Sequence, residues 1–322
     1  MPTAAKPRGK TANMLFGIQS AFDTAATGNY TRTPFYSENL GEAEPFEDDP
    51  LLGQERTNNR DTLALAPGLA SLSGQIAVPL DLNHIAYWLT ALLGAPVTTG
   101  TGPYTHTFAS GGEVLPFYTI EIEKRAGAAF FQSIGCLADS FSFDTTRSAG
   151  YRQANVNILG RNQVKLAATG GGAPVAMLAR NPIAAAIGRV LIDDVEVGNF
   201  RGGSFQYNNN AAADDSLNGT KYSSGFELDA DATCSGSARI RYANESYYDL
   251  MAAGDPFKFE FELAASATAK ISFVMANARF EKGAFAPIGG PGGLEAELNW
   301  RAEQSATDPM LTIAVTNGIE SY

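Results

Sequence analysis

The sequence predicts a mainly β protein made of two tandem β-sandwich units, each with one short flanking α-helix. Three observations carry this reading. Tyr118-Thr119-Ile120-Glu121-Ile122-Glu123 and Phe257-Lys258-Phe259-Glu260-Phe261-Glu262 alternate apolar and polar residues and end on two glutamates on one face, as a strand does when one side lies in a core. The residues around these two hexapeptides correspond as well, and in the same order. Glycine occupies 33 of 322 positions, Thr, Tyr and Phe are plentiful, and signals such as Gly202-Gly203 and Asn218-Gly219 divide the chain into short runs, which favours strands over helices.

Along the chain, residues 1–12 carry Lys6, Arg8 and Lys10 among small residues and prolines. They bury too little apolar surface to offset the entropy of ordering, so an N-terminal arm is expected. The first unit, 13–166, opens with Met14-Leu15-Phe16. From Leu40 to Thr62 the chain turns acidic, with Glu42, Glu44, Glu47, Asp48, Asp49 and Glu55 around Pro45, Pro50 and Gly53. A long loop or extended hairpin is expected there, serving as a contact arm. Ser73-Gly74-Gln75-Ile76 starts a strand that leads into a helix over 82–93, where Leu82, Ile85, Ala86, Leu89, Leu92 and Leu93 recur at spacings of three and four. Asp81 or Asn83 caps its start, and Gly94 suits a left-handed stop. His84 falls on the polar side, where it is expected to be solvated. Further strands are expected around 104–108, 118–123, 138–143 and 154–158.

Residues 167–187, with Gly170-Gly171-Gly172 and no periodicity, read as a linker. The second unit, 188–322, opens with Val190, Ile192, Val195 and Val197. Residues 208–215 stand where the acidic stretch stands in the first unit. Ser235-Gly236-Ser237-Ala238 answers 73–76, Asn244 and Gly254 bracket a second helix, and 276–280 and 294–298 answer 138–143 and 154–158. The order strand, helix, strand, strand, strand therefore occurs twice, as in a tandem duplication.

The length suffices for two units, each able to bury a core. No apolar run is long enough to span a membrane, and the first residues do not read as a signal peptide, so cytoplasmic synthesis and solubility are expected. Cys136 and Cys234 are isolated in strand-like contexts and are expected as buried thiols. Lys plus Arg is 23 against 34 for Asp plus Glu, a net charge of −11. With no basic stripe, tight binding of nucleic acid is excluded, because phosphate neutralisation supplies such affinity.

Paired carboxylates are the first candidates for chemistry. Glu121 and Glu123, two apart on a strand, stand about 7 Å from each other, a separation that overlaps the inverting glycosidases. Glu260 and Glu262 repeat the arrangement without any cleft motif, so both pairs read as a repeated surface. His84 and His106 are the only histidines. No metalloprotease, serine-hydrolase or zinc spacing accompanies them, and no Lys-Ser/Thr follows the triple glycine. Asp229 and Asp231 could offer oxygens to calcium, but alternation assigns them to the wet face of a strand. The expectation is a chain that is not an enzyme and holds no cofactor or metal.

Gly17-Ile18-Gln19-Ser20-Ala21-Phe22, the Ser73-Gly74-Gln75-Ile76 strand before a helix ending Ala91-Leu92-Leu93-Gly94, Tyr104-Thr105-His106-Thr107-Phe108 and Pro116-Phe117-Tyr118-Thr119-Ile120-Glu121 together resemble the major tail tube proteins of long-tailed bacteriophages. The resemblance covers most of 13–165, and the second half joins it only through the internal repeat. It implies a β sandwich with a flanking helix, whose inner strands pair around a ring. Stacked rings would form a hollow tube through which DNA passes during ejection. Members of that family mostly have one such unit per chain and build rings of six. Two units here imply a homotrimeric ring imitating sixfold symmetry, with a homohexamer whose second unit decorates the outside as the alternative. Tape measure protein and tail terminator are the other partners the family implies, in the virion tail.

Under that reading an acidic bore repels DNA and keeps its passage fast. Only charges within about 8 Å are felt at physiological salt, so Glu121, Glu123, Glu260 and Glu262 are expected to face the lumen, with the ring above as the other surface open to them. Glu42, Glu44, Glu47, Asp48, Asp49 and Glu55 are expected between rings, opposite Lys6, Arg8 and Lys10 of a neighbour's arm. A virion-surface or extracellular β-sandwich binding module is the reading from a different class. The placement of Trp88 within a helix and Trp300 after a strand, rather than on loops, weakens it.

Overall fold

A computed structural model of the chain describes residues 6–53, 60–147, 149–184 and 188–322. After a 3-10 turn at Gly9–Thr11, the first half runs Asn13–Ile18 (β1), Thr31–Arg32 (β2), Ser37–Glu38 (β3), Gly41–Ala43 (β4), Phe46–Glu47 (β5), Ala66–Pro67 (β6) and Ser71–Pro79 (β7). The helix Ile85–Leu93 (α1) follows, then Val97–Thr99 (β8), Tyr104–Ala109 (β9), Tyr118–Arg125 (β10), Ala129–Asp144 (β11), Gln153–Gly160 (β12) and Asn162–Leu166 (β13). The second half runs Gly188–Ile192 (β14), Val195–Glu196 (β15), Phe200–Asn208 (β16), Ala212–Ala213 (β17), Phe226–Glu227 (β18) and Thr233–Arg241 (β19). It ends with the helix Ser246–Ala253 (α2), Phe257–Ser266 (β20), Ala269–Phe280 (β21), Glu295–Glu303 (β22) and Thr312–Asn317 (β23).

Both halves use one antiparallel pairing scheme. β1, β10, β11 and β13 are neighbours in the first, as β14, β20, β21 and β23 are in the second. β11 and β21 also pair with β12 and β22, which pair in turn with β7 and β19. The alternation read from the sequence is what buries one face: Ile120 and Ile122 in β10, and Phe257, Phe259 and Phe261 in β20, all lie in the core. Each such side chain contributes about 1.5–3 kcal/mol.

The core is continuous across the halves rather than separate in each. Phe143 of β11 stacks 4.7 Å from Phe273 of β21 and 5.1 Å from Phe205 of β16, ring centre to ring centre. Two strand pairings seal the same joint, β11 with β16 and β9 with β23. The segment after β13 is laid along the first half: Val175 bridges Thr31, Pro182 bridges Asp81, and Ile183 is buried.

Four local expectations change. His84 is buried, not solvated: its Nδ1 lies 2.9 Å from Asp81 Oδ1, because 179–183 and the C-terminal strand cover that side of α1. Asn83 Nδ2 donates to Ala179 O, and Asn317 Nδ2 donates to Leu82 O. The helix begins at Ile85 and not at Leu82, with His84 at its N-cap and no side-chain cap bond; Asp81 orders the turn before it, its Oδ1 accepting Asn83 N–H at 3.1 Å and its carbonyl accepting Ile85 N–H at 2.8 Å. Gly94 stops the helix with φ 90 but with ψ −175, so the chain leaves extended; Gly254 has the left-handed geometry. Asp229 and Asp231 lie in the connection before β19, outside any strand.

Candidate functional site

β5, within the acidic stretch, pairs with β6, past its end, in a two-stranded sheet of their own. Phe46, Leu51, Leu65 and Leu69 are exposed there, and Leu52 is 89% exposed. Apolar side chains this open on one hairpin mark a contact surface. Glu47, Asp48 and Asp49 are exposed on the same hairpin, and Glu55 lies outside the described residues. Lys6, Arg8 and Lys10 are exposed beside the first strand.

Glu42 and Glu44 are engaged within the chain instead. Glu42 Oε2 accepts Gln163 N–H at 2.7 Å, and its Oε1 accepts the Tyr222 hydroxyl at 3.4 Å; Glu44 pairs with Lys221. Lys221 and Tyr222 belong to the hairpin of the second half, between β17 and β18, which lies across the first half. Ala70 N–H donates to Lys221 O at 3.0 Å, and Phe226 meets Phe22 edge-on at 5.6 Å. No spacing in the sequence announces that crossing.

The glutamate pairs share the face opposite the core, but their surroundings differ. Glu121 is fully enclosed: it accepts hydrogen bonds from Thr169 Oγ1 at 2.5 Å, Gly170 N at 2.8 Å and Gln132 Nε2 at 3.3 Å. It presents no charge to solvent in the single chain, because the segment after β13 closes over it. Glu123 is half-buried and accepts from Asn13 Nδ2 and Gly127 N. Glu260 lies 3.9 Å from Lys258 Nζ. Glu262 is held by Arg189 Nε and Lys270 Nζ, each at 2.8 Å. Burial pushes its carboxyl up, yet the hydrogen bonds and charges of Lys270 and Arg189 pull it further down, to below the usual carboxylate range.

His106 is buried in β9, 2.9 Å from Thr98 Oγ1 and from Ile319 O. Cys136 and Cys234 are buried free thiols, and burial pushes Cys136 up to about 12, which keeps it unreactive. Among the described residues no group of three or more His, Cys, Asp or Glu could hold a metal ion.

A mainly β body with strand edges left without a partner among the described residues, and with exposed apolar side chains on the β5–β6 hairpin, has the build of an assembly subunit. A family model described as phage tail tube protein matches residues 9–302, and the chain belongs to that family. It is therefore a structural protein of the bacteriophage virion, placed in the tail. No curated protein matches the chain.

Proposed function

We propose that this chain polymerises as stacked rings into the tail tube through which DNA passes during ejection. The observation that carries this reading is that both halves use the same pairing scheme and are joined side by side through β11 and β16. Two equivalent wall segments per chain favour a homotrimeric ring with six stations over a homohexamer. The subunit acts by shape and charge, not by catalysis, and tape measure protein and tail terminator meet the tube at its interior and end.

Repulsion of DNA by an acidic lumen rests on Glu123 and Glu260, on the face away from the core; Glu121 serves the fold, and Glu262 is offset by Arg189 and Lys270. Inter-ring contact rests on the β5–β6 hairpin, with Glu47, Asp48, Asp49 and Glu55 opposite Lys6, Arg8 and Lys10 of a neighbour. Electron microscopy of the purified protein tests the reading. Tubes or rings with a threefold component in their rotational power spectrum are expected. Dispersed monomers under every assembly condition would favour the binding-module reading instead.

A further inference from the structure

Within the chain, β16 adds to the end of β11 with Ser140 opposite Asn208, Phe141 opposite Tyr207 and Phe143 opposite Phe205. The first half has its own version of β16. β4 pairs with β7 so that Gly41 faces Ser73 and Glu42 faces Leu72, while β16 pairs with β19 so that Gln206 faces Ser235 and Tyr207 faces Cys234. Superposing Ser73-Gly74 on Ser235-Gly236 sets residues 37–43 on 202–208, with buried Leu40 on buried Phe205. Both glycines admit the same close crossing: a Cβ on Gly74 would meet Leu40 Cα at 2.5 Å, and one on Gly236 would meet the Ser204 carbonyl. Among the described residues, β16 has a strand on both sides, whereas β3 and β4 pair only with β7.

The receiving end is duplicated too. β11 follows β12 with Leu137 opposite Leu159 and Ser140 opposite Asn157; β21 follows β22 with Arg279 opposite Arg301, and Glu281 N–H then donates to Asn299 O at 2.8 Å. Glu281 therefore stands where Ser140 stands, and Lys282 where Phe141 stands. Residues 281–284 are exposed and carry no strand. One chain thus leaves both sides of a joint that it closes once internally without a strand partner; on the first side Glu38 Oε2 accepts the Leu40 N–H at 3.0 Å, a bond that a pairing strand replaces.

Resting on the ring reading above, we propose that residues 37–43 of one chain add as a strand to residues 281–284 of the next, which become a strand only on assembly. The internal register sets Ala43 opposite Glu281, Glu42 opposite Lys282, Gly41 opposite Gly283 and Leu40 opposite Ala284. The occupant is a second copy because the two open sides reproduce, residue for residue, the joint that the chain closes internally. The contact is head-to-tail, so it propagates and closes into a ring instead of stopping at a dimer. Where the internal joint opposes Phe141 to Tyr207, the open one carries the exposed ammonium of Lys282 in place of an aromatic ring. A free subunit must carry this edge through water before assembly, and charge on an open edge guards against indiscriminate pairing.

Cross-linking tests the register. Directly opposed strand residues lie about 4.5–5.5 Å apart at Cα, within disulfide reach, and both native cysteines are buried. Tubes of the full chain carrying Ala43→Cys and Glu281→Cys, oxidised gently, should give covalent multimers ending at one ring. Either single variant should give none. Ala43→Cys with Lys282→Cys should cross-link far less, since a one-residue step turns the side chain to the other face. Double-variant tubes without cross-links overturn the joint and leave the tube reading intact, whereas absence of tubes from the unaltered chain overturns the tube reading itself. If the double variant fails to assemble, hydrogen exchange on the unaltered chain decides. Amides of Lys282 and Ala284, on the side away from β22, should exchange about tenfold or more slower in tubes than in free subunits, and equal rates overturn the proposal.

Discussion

Gly170 donates its backbone N–H to Glu121 Oε2 at 2.8 Å, fastening the segment between the halves to the middle of β10. Thr169 adds a second bond to the other oxygen of the same carboxylate. Hydrogen bonds to a charged acceptor contribute about 1.5–3 kcal/mol, and a buried donor left unpaired costs a comparable amount. Replacing Glu121 by Ala should therefore lower stability by about 2–3 kcal/mol, and Glu121→Gln by less, because an acceptor remains. Urea unfolding checks this as a lower midpoint at an unchanged slope.

Gly236 lies under the Ser204 carbonyl and against Trp300. A methyl group there must push two strands apart, so Gly236→Ala should cost about 1–3 kcal/mol. Gly219 has open space at its Cβ but a φ of 72, so it is no fair control; Gly198 has neither constraint, and Gly198→Ala should be within about 0.5 kcal/mol of the unaltered chain. Denaturant titration of both variants compares steric cost directly.

Phe143 and Phe273 contribute to one core from opposite halves. Either truncated to Ala should cost about 3–5 kcal/mol. Because they touch, the double variant should lose less than the two single losses combined. Far-ultraviolet circular dichroism and tryptophan fluorescence, the latter reporting Trp88 in the first half and Trp300 in the second, should follow one transition. Two separated transitions would show that the halves unfold independently.

Glu262 between Arg189 and Lys270 supplies an acid-sensitive contribution. Its native carboxyl titrates below the ordinary value. The stabilisation is thus fully present above the unfolded value of about 4.3 and is lost as pH falls through the native one. Both cations are partly exposed, so Glu262→Gln should cost about 1 kcal/mol or less near neutrality. The gap between variant and unaltered chain should close as the solution is taken toward pH 3, measured by urea unfolding at each pH.

The β fold was legible because strand alternation and glycine stops are local signals: 118–123 and 257–262 lie in β10 and β20, each paired antiparallel with the strand that follows it. The surroundings of individual side chains were not. His84 looked polar on a helical wheel, but segments more than ninety positions away in the chain cover it. Glu121 matched Glu260 by pattern, yet only the first half has Thr169 and Gly170 folded over that face. The open edge at 37–43 escaped notice because its likeness to 202–208 lies in register, not in residue type; Leu40 and Phe205 share a place but little else.

Only the first half carries the β8–β9 hairpin, which pairs with β23 of the second; α2 passes almost directly into β20. In any closed array of such chains the hairpin therefore recurs once per polypeptide, not once per half. A partner that grips it would find footholds at every other station, and a rotation by one station would leave that partner facing a different landscape.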